Sequence, residues 1–301
     1  MTGIEFKTSP SRTGVIIKGV NDQYADGKMA KVYKAFIGDE NARTENYKRF
    51  LIDLLRKKGC KRILDVACGT GIDSIMLLEE GFDVVSTDGS DKMLKYAYEQ
   101  RWERRREPAF ENWIIREANW LEVYDTVEDL VGDGFDAVIC FGSSFAHLLD
   151  SYGDQREQKQ AIRNFEKCLK RGGLLLIDHR NYEKLIKGQA PKKCVFYDAN
   201  YITNITTSVL SVMGKPALII RDYIVLSDET SDKTNGVKKY KSETPSTTEL
   251  RLMFHPHMVN DFINMLKEIF GEKSSFHTLG DFKNLGEIED PTFYIHIVEK
   301  Q

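Results

Sequence analysis

The chain has 301 residues and 41% hydrophobic content, enough for a large packed domain with an accessory part and too apolar for a disordered chain. A formal net charge of −3 gives no electrostatic reason to expect a nucleic-acid partner. The five cysteines (Cys60, Cys68, Cys140, Cys168 and Cys194) form no CxxC pair and no zinc-like cluster, so they read as reduced thiols, no metal is expected, and the location expected is cytoplasmic. No apolar run approaches the roughly 18 residues of a membrane span, and the polar N-terminus lacks the core of a signal peptide.

Residues 1–20 lack periodicity and read as an N-terminal arm with a short apolar patch at Val15–Ile17. Helical patterns follow around Lys28–Ile37 and Thr44–Lys58. Then βα alternation sets in. RILDVAC leads into a helix over Ile72–Glu80, and DVVSTD into a helix from Asp91 to about Arg106. WIIREAN, FDAVICFG, a helix around Gln155–Lys170 and LLLIDHR complete the series. Near-continuous apolar runs such as AVIC and LLLI predict parallel strands covered on both faces. The alternation predicts a doubly wound α/β sheet over a core of residues 21–193. From Cys194 the texture changes: CVFYDAN, ITTSVLSV, LIIRDYIVLS and TELRLMFHP predict antiparallel strands of a small cap over 194–250. Within it the polar stretch 227–249 carries Asn235-Gly236, a hairpin-turn signal. Residues 251–301 return to the core pattern, with a helix over VNDFINMLKEIFG and strands SFHTLGDF and TFYIHIVEK.

The candidate site gathers at the carboxyl ends of the predicted parallel strands, where open α/β sheets bind ligands. Gly69 and Gly71 bracket Thr70 in a strand-to-helix turn, where the absence of a side chain lets the backbone approach a ligand. The third small position of a dinucleotide fingerprint is Ser74, which weakens a pyrophosphate reading. Asp65, just ahead of the glycines, suits an amino group better. Asp88 ends the second strand, where a carboxylate can accept hydrogen bonds from both ribose hydroxyls; by itself it does not separate a nicotinamide from an adenosyl cofactor. Asn119 and Trp120 end the third strand and can read an adenine edge and pack on a ring, although a lone Trp is more often core. Phe141 to His147 ends the fourth. Together these strand ends point to a nucleoside with a charged amino-acid tail. The run Arg101–Arg106 reads as the last turn of a helix, where cations complement the dipole.

These residues resemble the class I S-adenosylmethionine-dependent methyltransferases: Asp65-x-x-Cys-Gly-Thr-Gly71, Asp88, Asn119-Trp120 and Gly172-Gly173 before LLLIDHR. More narrowly, DQYADG (22–27), RILDVACGTGIDSIMLLEEGF, SDKMLKYA, REPAF, EANW, GFDAVIC, SFAH, GGLLLIDHRNY and LGDFK resemble the glycine N-methyltransferase family over nearly the whole chain. The resemblance implies a seven-stranded, mostly parallel methyltransferase sheet with a small antiparallel cap, S-adenosyl-L-methionine as cofactor, and a small amino-acid acceptor. It also implies a homotetramer whose N-terminal arms reach neighbouring sites, and folate binding. It matches Tyr24, Tyr33, Arg43, Ala67, Asp88, Asn119, Trp120 and the Phe141–Ser144 segment to cofactor contacts. Arg180 matches the grip on the acceptor's carboxylate, and Tyr197 and Tyr223 match tyrosines near the transferred methyl. His147 reads equally well as a cofactor-pocket or a structural histidine.

Several positions depart from the family. Tyr33 stands where Trp is usual, Phe36 for Tyr, Ser143 for Asn and Lys18 for Glu. Phe36 and Ser143 remove polar reach at the acceptor, and such losses shift specificity strongly. Sarcosine or another substituted amine is therefore expected to compete with glycine, and Lys18 puts folate binding and the arm contacts in question. Two other classes remain open at this point: an NAD-dependent oxidoreductase, and a non-catalytic S-adenosylmethionine-binding protein.

Overall fold

The computed structural model describes residues 4–8, 24, 27, 29–30, 33, 44–189, 202–226 and 247–301. Arg43, Tyr197, Phe36, Lys18, the Val15–Ile17 patch and most of the polar stretch after 226 lie outside them.

The larger sheet has five parallel strands, β2 (Arg62–Asp65), β3 (Asp83–Asp88), β4 (Ile114–Glu117), β5 (Phe135–Cys140) and β6 (Leu169–Arg180). Three antiparallel strands extend it: β10 (Ser275–Gly280), β11 (Lys283–Asn284) and β12 (Phe293–Glu299). The order is β11-β10-β12-β6-β5-β2-β3-β4. The eighth strand, beyond the seven expected, is the two-residue β11. β4 is shorter than the WIIREAN run, and Trp113 before it is fully buried.

Both parities of these strands are apolar, and each parity has its own core. Ile63, Ala137, Ile139, Leu174 and Leu176 pack on one face with helices α1 (Glu45–Lys57), α2 (Ile72–Glu79) and α3 (Asp91–Glu103). Leu64, Val138, Cys140, Leu175 and Ile177 pack on the other, with α4 (Val123–Val131), α5 (Arg156–Cys168) and α6 (Val259–Phe270). Period-2 alternation with no polar face is what a doubly covered parallel sheet requires. Thr44 and Ser90 cap their helices, their hydroxyls accepting from Tyr47 N and Met93 N. The predicted helix to Arg106 ends at Glu103, and two arginines after it have local partners: Arg104 pairs with Glu79 and Glu107, and Arg105 lies over the exposed Trp102 ring.

The second sheet is antiparallel, in the order β1-β7-β8-β9: β1 (Ile4–Thr8), β7 (Ile202–Val212), β8 (Lys215–Leu226) and β9 (Thr247–Phe254). Residues 4–8, read from sequence as part of an arm, form its edge strand, pairing Ile4 with Val212 through Thr8 with Ser208. Ile219 and Tyr223 of β8 and Phe254 of β9 pack on Ile72, Ala146 and Tyr182 of the larger unit. That contact lies over the carboxyl ends of the parallel strands.

Histidines form a buried cluster where β6, β12 and α6 meet. His179 Nδ1 lies 2.8 Å from the Arg180 carbonyl, so that nitrogen donates and Nε2 must accept. His296 Nε2 therefore donates to His179 Nε2 at 3.0 Å, and the Thr278 hydroxyl donates to His296 Nδ1 at 3.1 Å. The Phe262 ring packs against His179, His257 and His296. Burial holds His179 down at about 4 and His257 and His296 well below their ordinary value. The unfolded chain protonates these rings near pH 6.5, whereas folded His179 resists until about pH 4. Stability should therefore fall as pH drops through that window, by about 3 kcal/mol from His179 alone. Asp65, raised to about 7, works in the opposite direction and offsets part of the loss. Urea midpoints that stay flat from pH 7 to about pH 5 would contradict this.

Candidate active site

The turn after β2 is built from beneath by hydrogen bonds. Trp113 Nε1 donates to Ser86 Oγ at 2.7 Å, Ser86 Oγ lies 2.7 Å from Ser74 Oγ, and Ser74 donates to Asp65 Oδ2 at 2.7 Å. Asp65 Oδ1 accepts from Ala67 N at 3.2 Å. Burial, then the nearby Asp73 carboxylate, pushes Asp65 up to about 7. Asp65 is thus the turn's internal brace, 2% exposed, rather than a group on the ligand side. Gly71 also differs from its sequence reading. Its φ is +92°, and a Cβ there would sit 2.7 Å from Trp113 Cη2 and 3.3 Å from Ala97 Cβ. The left-handed backbone and the indole behind the turn both require glycine here. Gly71→Ala should cost about 2–4 kcal/mol through overpacking and backbone strain. A urea midpoint matching the parent would show that Trp113 yields readily.

In front of the turn lies an open cavity of about 600 Å³, a size suited to a small-molecule cofactor. Ala67 and Gly69 form its floor, with Tyr24 and Tyr33 on the wall. A Cβ on Gly69 would lie 3.1 Å from Met93 Cε, so this glycine does open the space. Asp88 at the end of β3 is held by two backbone donors, Gly69 N to Oδ2 and Ser90 N to Oδ1, both at 2.9 Å. These two donors fix the carboxylate's orientation before a ligand arrives. Asn119 lines the cavity, its Oδ1 accepting from Leu121 N at 3.0 Å and leaving the amide donors for a partner. Trp120 is both core and wall: Nε1 donates to Val66 O at 2.6 Å, and the ring packs on Phe145 and Phe165.

Beyond β5, Ser144 donates to Phe141 O at 2.8 Å and begins the single turn Ser144–His147. Phe141 itself is buried edge-on against Tyr47, behind the wall. His147 Nδ1 lies 3.1 Å from the Met253 carbonyl of β9, so it donates there and Nε2 accepts from the Tyr24 hydroxyl at 3.0 Å. Burial lowers His147 to about 4, keeping it neutral. This ring ties the cap sheet to the cavity and aims the Tyr24 oxygen.

Ser143 is fully buried with φ +56°, a conformation favouring Asn or Gly. Its N–H donates to Asp178 Oδ1 at 2.8 Å, and its hydroxyl has no partner among the described residues. Arg180 ends β6, half-buried, its guanidinium 5.1 Å from the Phe293 ring. Tyr223 descends from β8 into the apolar contact between the sheets, beside Tyr182. So Tyr24, Tyr33, Ala67, Gly69, Asp88, Asn119, Trp120, Ser144 and His147 share one cavity. Asp65, Gly71 and Phe141 support it from behind, and Ser143, Arg180 and Tyr223 are not among its lining residues. Sequence reasoning gave no site role to Gly89, Met93 or Leu148 on the wall. Met93 stands on the first turn of α3, facing Gly69.

A strand-end cavity of this design, on a parallel sheet extended past β6 by antiparallel β12, β10 and β11, defines a methyltransferase-type α/β protein. A family model described as a methyltransferase domain matches residues 57–241. The chain resembles, in fold, an S-adenosylmethionine-dependent methyltransferase from Clostridium acetobutylicum (TM-score 0.62, 16% identity, 91% of this chain and 98% of that one). It also resembles the CcbJ methyltransferase from Streptomyces caelestis (TM-score 0.63, 15% identity, 92% and 98%). In sequence it is 47% identical over 291 residues to the glycine N-methyltransferase of Mus musculus, covering 95% of this chain and 96% of the relative. The human glycine N-methyltransferase is 46% identical over 292 residues, with the same coverage. A glycine/sarcosine N-methyltransferase from Parasynechococcus marenigrum is 33% identical over 264 residues, covering 87% and 80%. The chain belongs to the glycine N-methyltransferase family.

Proposed function

We propose that the chain transfers the methyl group of S-adenosyl-L-methionine to the amine of glycine or sarcosine. The observation that carries this is the oriented Asp88 carboxylate in the same cavity wall as Asn119, Trp120 and the Ala67–Gly69 turn, with Arg180 at the end of the adjoining β6. Asp88 would hold the ribose diol, Asn119 and Trp120 the adenine, and the turn the amino-acid tail. The bound cofactor supplies an electrophilic methyl on a sulfonium. Arg180 would fix the acceptor's carboxylate by a bidentate pair, and Tyr24, Tyr197 and Tyr223 would orient the amine. The acceptor nitrogen attacks as the neutral amine, so catalysis rests on alignment and water exclusion rather than on a strong base. Neutral His147 fits that scheme as the residue that aims Tyr24. The same resemblance supports a homotetramer in the cytoplasm, with Lys18 weighing against folate at the arm; sedimentation would check the assembly.

The acceptor preference rests on Phe36 and Ser143. A pocket short of two polar groups loses about 1 kcal/mol per missing hydrogen bond to glycine, whereas an added methyl gains about 0.8 kcal/mol on burial. Sarcosine should therefore compete with glycine. The double change Phe36→Tyr with Ser143→Asn should raise kcat/KM for glycine relative to sarcosine, the more so because Asn suits the left-handed backbone at 143. A parent enzyme that strongly prefers glycine, with no shift in the double variant, would remove these positions from acceptor choice.

A further inference from the structure

Two loops wall the base end of the cavity, one after β4 and one after β5, and a single helix holds both. Asn119 and Trp120 lie on the first loop and Leu148 on the second. Helix α5 packs behind them with Ala161, Ile162, Phe165 and Cys168 in the apolar core. Two carboxamides interrupt that buried face: Gln158 has no exposed surface and Asn164 only 4%. A buried carboxamide costs free energy unless it is hydrogen-bonded, and an aliphatic residue would fill either position without that cost. Asn is also a weak helix former.

Both carboxamides direct their donors to the cavity loops. Asn164 Nδ2 donates to Trp120 O at 3.0 Å and to Leu121 O at 2.7 Å, using both of its hydrogens. Gln160 Nε2 donates to Asn164 Oδ1 at 3.3 Å, which sets the amide end that faces the loop. Gln158 Nε2 donates to Leu148 O at 2.9 Å. Leu121 carries the effect of Asn164 to the cavity. Its carbonyl is held by Asn164, and its N–H donates to Asn119 Oδ1 at 3.0 Å. The direction of the Asn119 side chain therefore depends on a helix one layer away. The Trp120 indole is tied separately, by Nε1 to Val66 O, so that its backbone and its ring are both fixed.

We propose that Asn164 and Gln158 are positioning residues for the base of the cofactor, with Asn164 acting through Leu121 on Asn119. Neither lines the cavity; each holds a residue that does. The inference rests on the reading that Asn119 and Trp120 take the adenine. It makes discrimination between adenine and a base with an altered edge a property of α5 as well as of the loop.

The test compares the full-length parent with Asn164→Leu and Gln158→Met. Each is titrated with S-adenosylhomocysteine and with S-inosylhomocysteine, in which a carbonyl replaces the adenine amine, and acceptor KM is read at saturating S-adenosylmethionine. Asn164→Leu should weaken S-adenosylhomocysteine binding about fivefold or more, the scale of one misdirected hydrogen bond. It should weaken S-inosylhomocysteine less, so the ratio of the two affinities falls, while acceptor KM stays within about twofold. Gln158→Met should show the same pattern with a smaller amplitude, because Leu148 brings no base-reading amide. A folded variant with the parent's two affinities would overturn the assignment for that residue. Equal losses for both ligands would mark general loosening and overturn it as well. If Asn164→Leu fails to fold, Gln158→Met decides on the same readouts; if neither folds, the carboxamides belong to fold stability and the proposal falls. A parent that binds neither ligand would instead overturn the cofactor reading on which this one stands.

Discussion

Asp88→Ala should weaken S-adenosylmethionine binding by about 2–4 kcal/mol, the scale of losing two charge-assisted hydrogen bonds in a partly desolvated site. The carboxylate is held by Gly69 N and Ser90 N, so its orientation is set before a ribose arrives. The alanine change also frees those two backbone donors and loosens the turn. Asp88→Asn separates the effects: it keeps the size of the side chain, but its amide nitrogen must face one of the two backbone N–H groups whichever way it turns, so one of those two contacts is lost. Its deficit should lie between parent and alanine. Titration of the folded variants measures this directly, and an alanine variant with the parent's dissociation constant would refute the ribose role.

Arg180→Lys should collapse turnover and leave the cofactor nearly untouched. Lysine preserves the charge but presents a point donor where a planar fork is needed to fix a carboxylate in two dimensions. A misaligned amine loses the advantage of pre-paid orientation, so kcat/KM for glycine and sarcosine should drop by about 100-fold or more. S-adenosylmethionine affinity should stay within about threefold. An acceptor without a carboxylate should be methylated equally by parent and variant. If glycine behaves that way, Arg180 does not hold its carboxylate.

Much of this was legible in the sequence because two periodicities were clean. Apolar residues at both parities of AVIC and LLLI can be accommodated only by a doubly covered sheet, and Ala137 with Ile139 and Val138 with Cys140 do face separate cores. The ends of those strands then fell at one edge, bringing Asp88, Asn119, Trp120 and the 144–147 turn together. What escaped was anything decided by a partner distant in sequence. Gly71 looked like a ligand-approach glycine, yet the atom that forbids its Cβ belongs to Trp113. Asp65 looked like a ligand for an amine, yet Ser74, Ser86 and Trp113 complete a chain that keeps it inside. Residues 4–8 were too few to declare a strand without the β7 edge they pair with. Alternation assigns Arg221 and Asp222 to opposite faces of a strand but cannot say which face is covered. That follows only from the packing of β8 on Tyr182 and Ala146.

The central claim is methyl transfer to a small amino acid, and its most direct test is a turnover measurement with the purified chain. S-adenosylmethionine carrying a labelled methyl is incubated with glycine and, separately, with sarcosine, and both products are quantified. The account predicts labelled N-methylglycine from glycine and N,N-dimethylglycine from sarcosine, each matched one-for-one by S-adenosylhomocysteine. Tight S-adenosylmethionine binding with no label in either amino acid would contradict it and leave a binding protein without transfer.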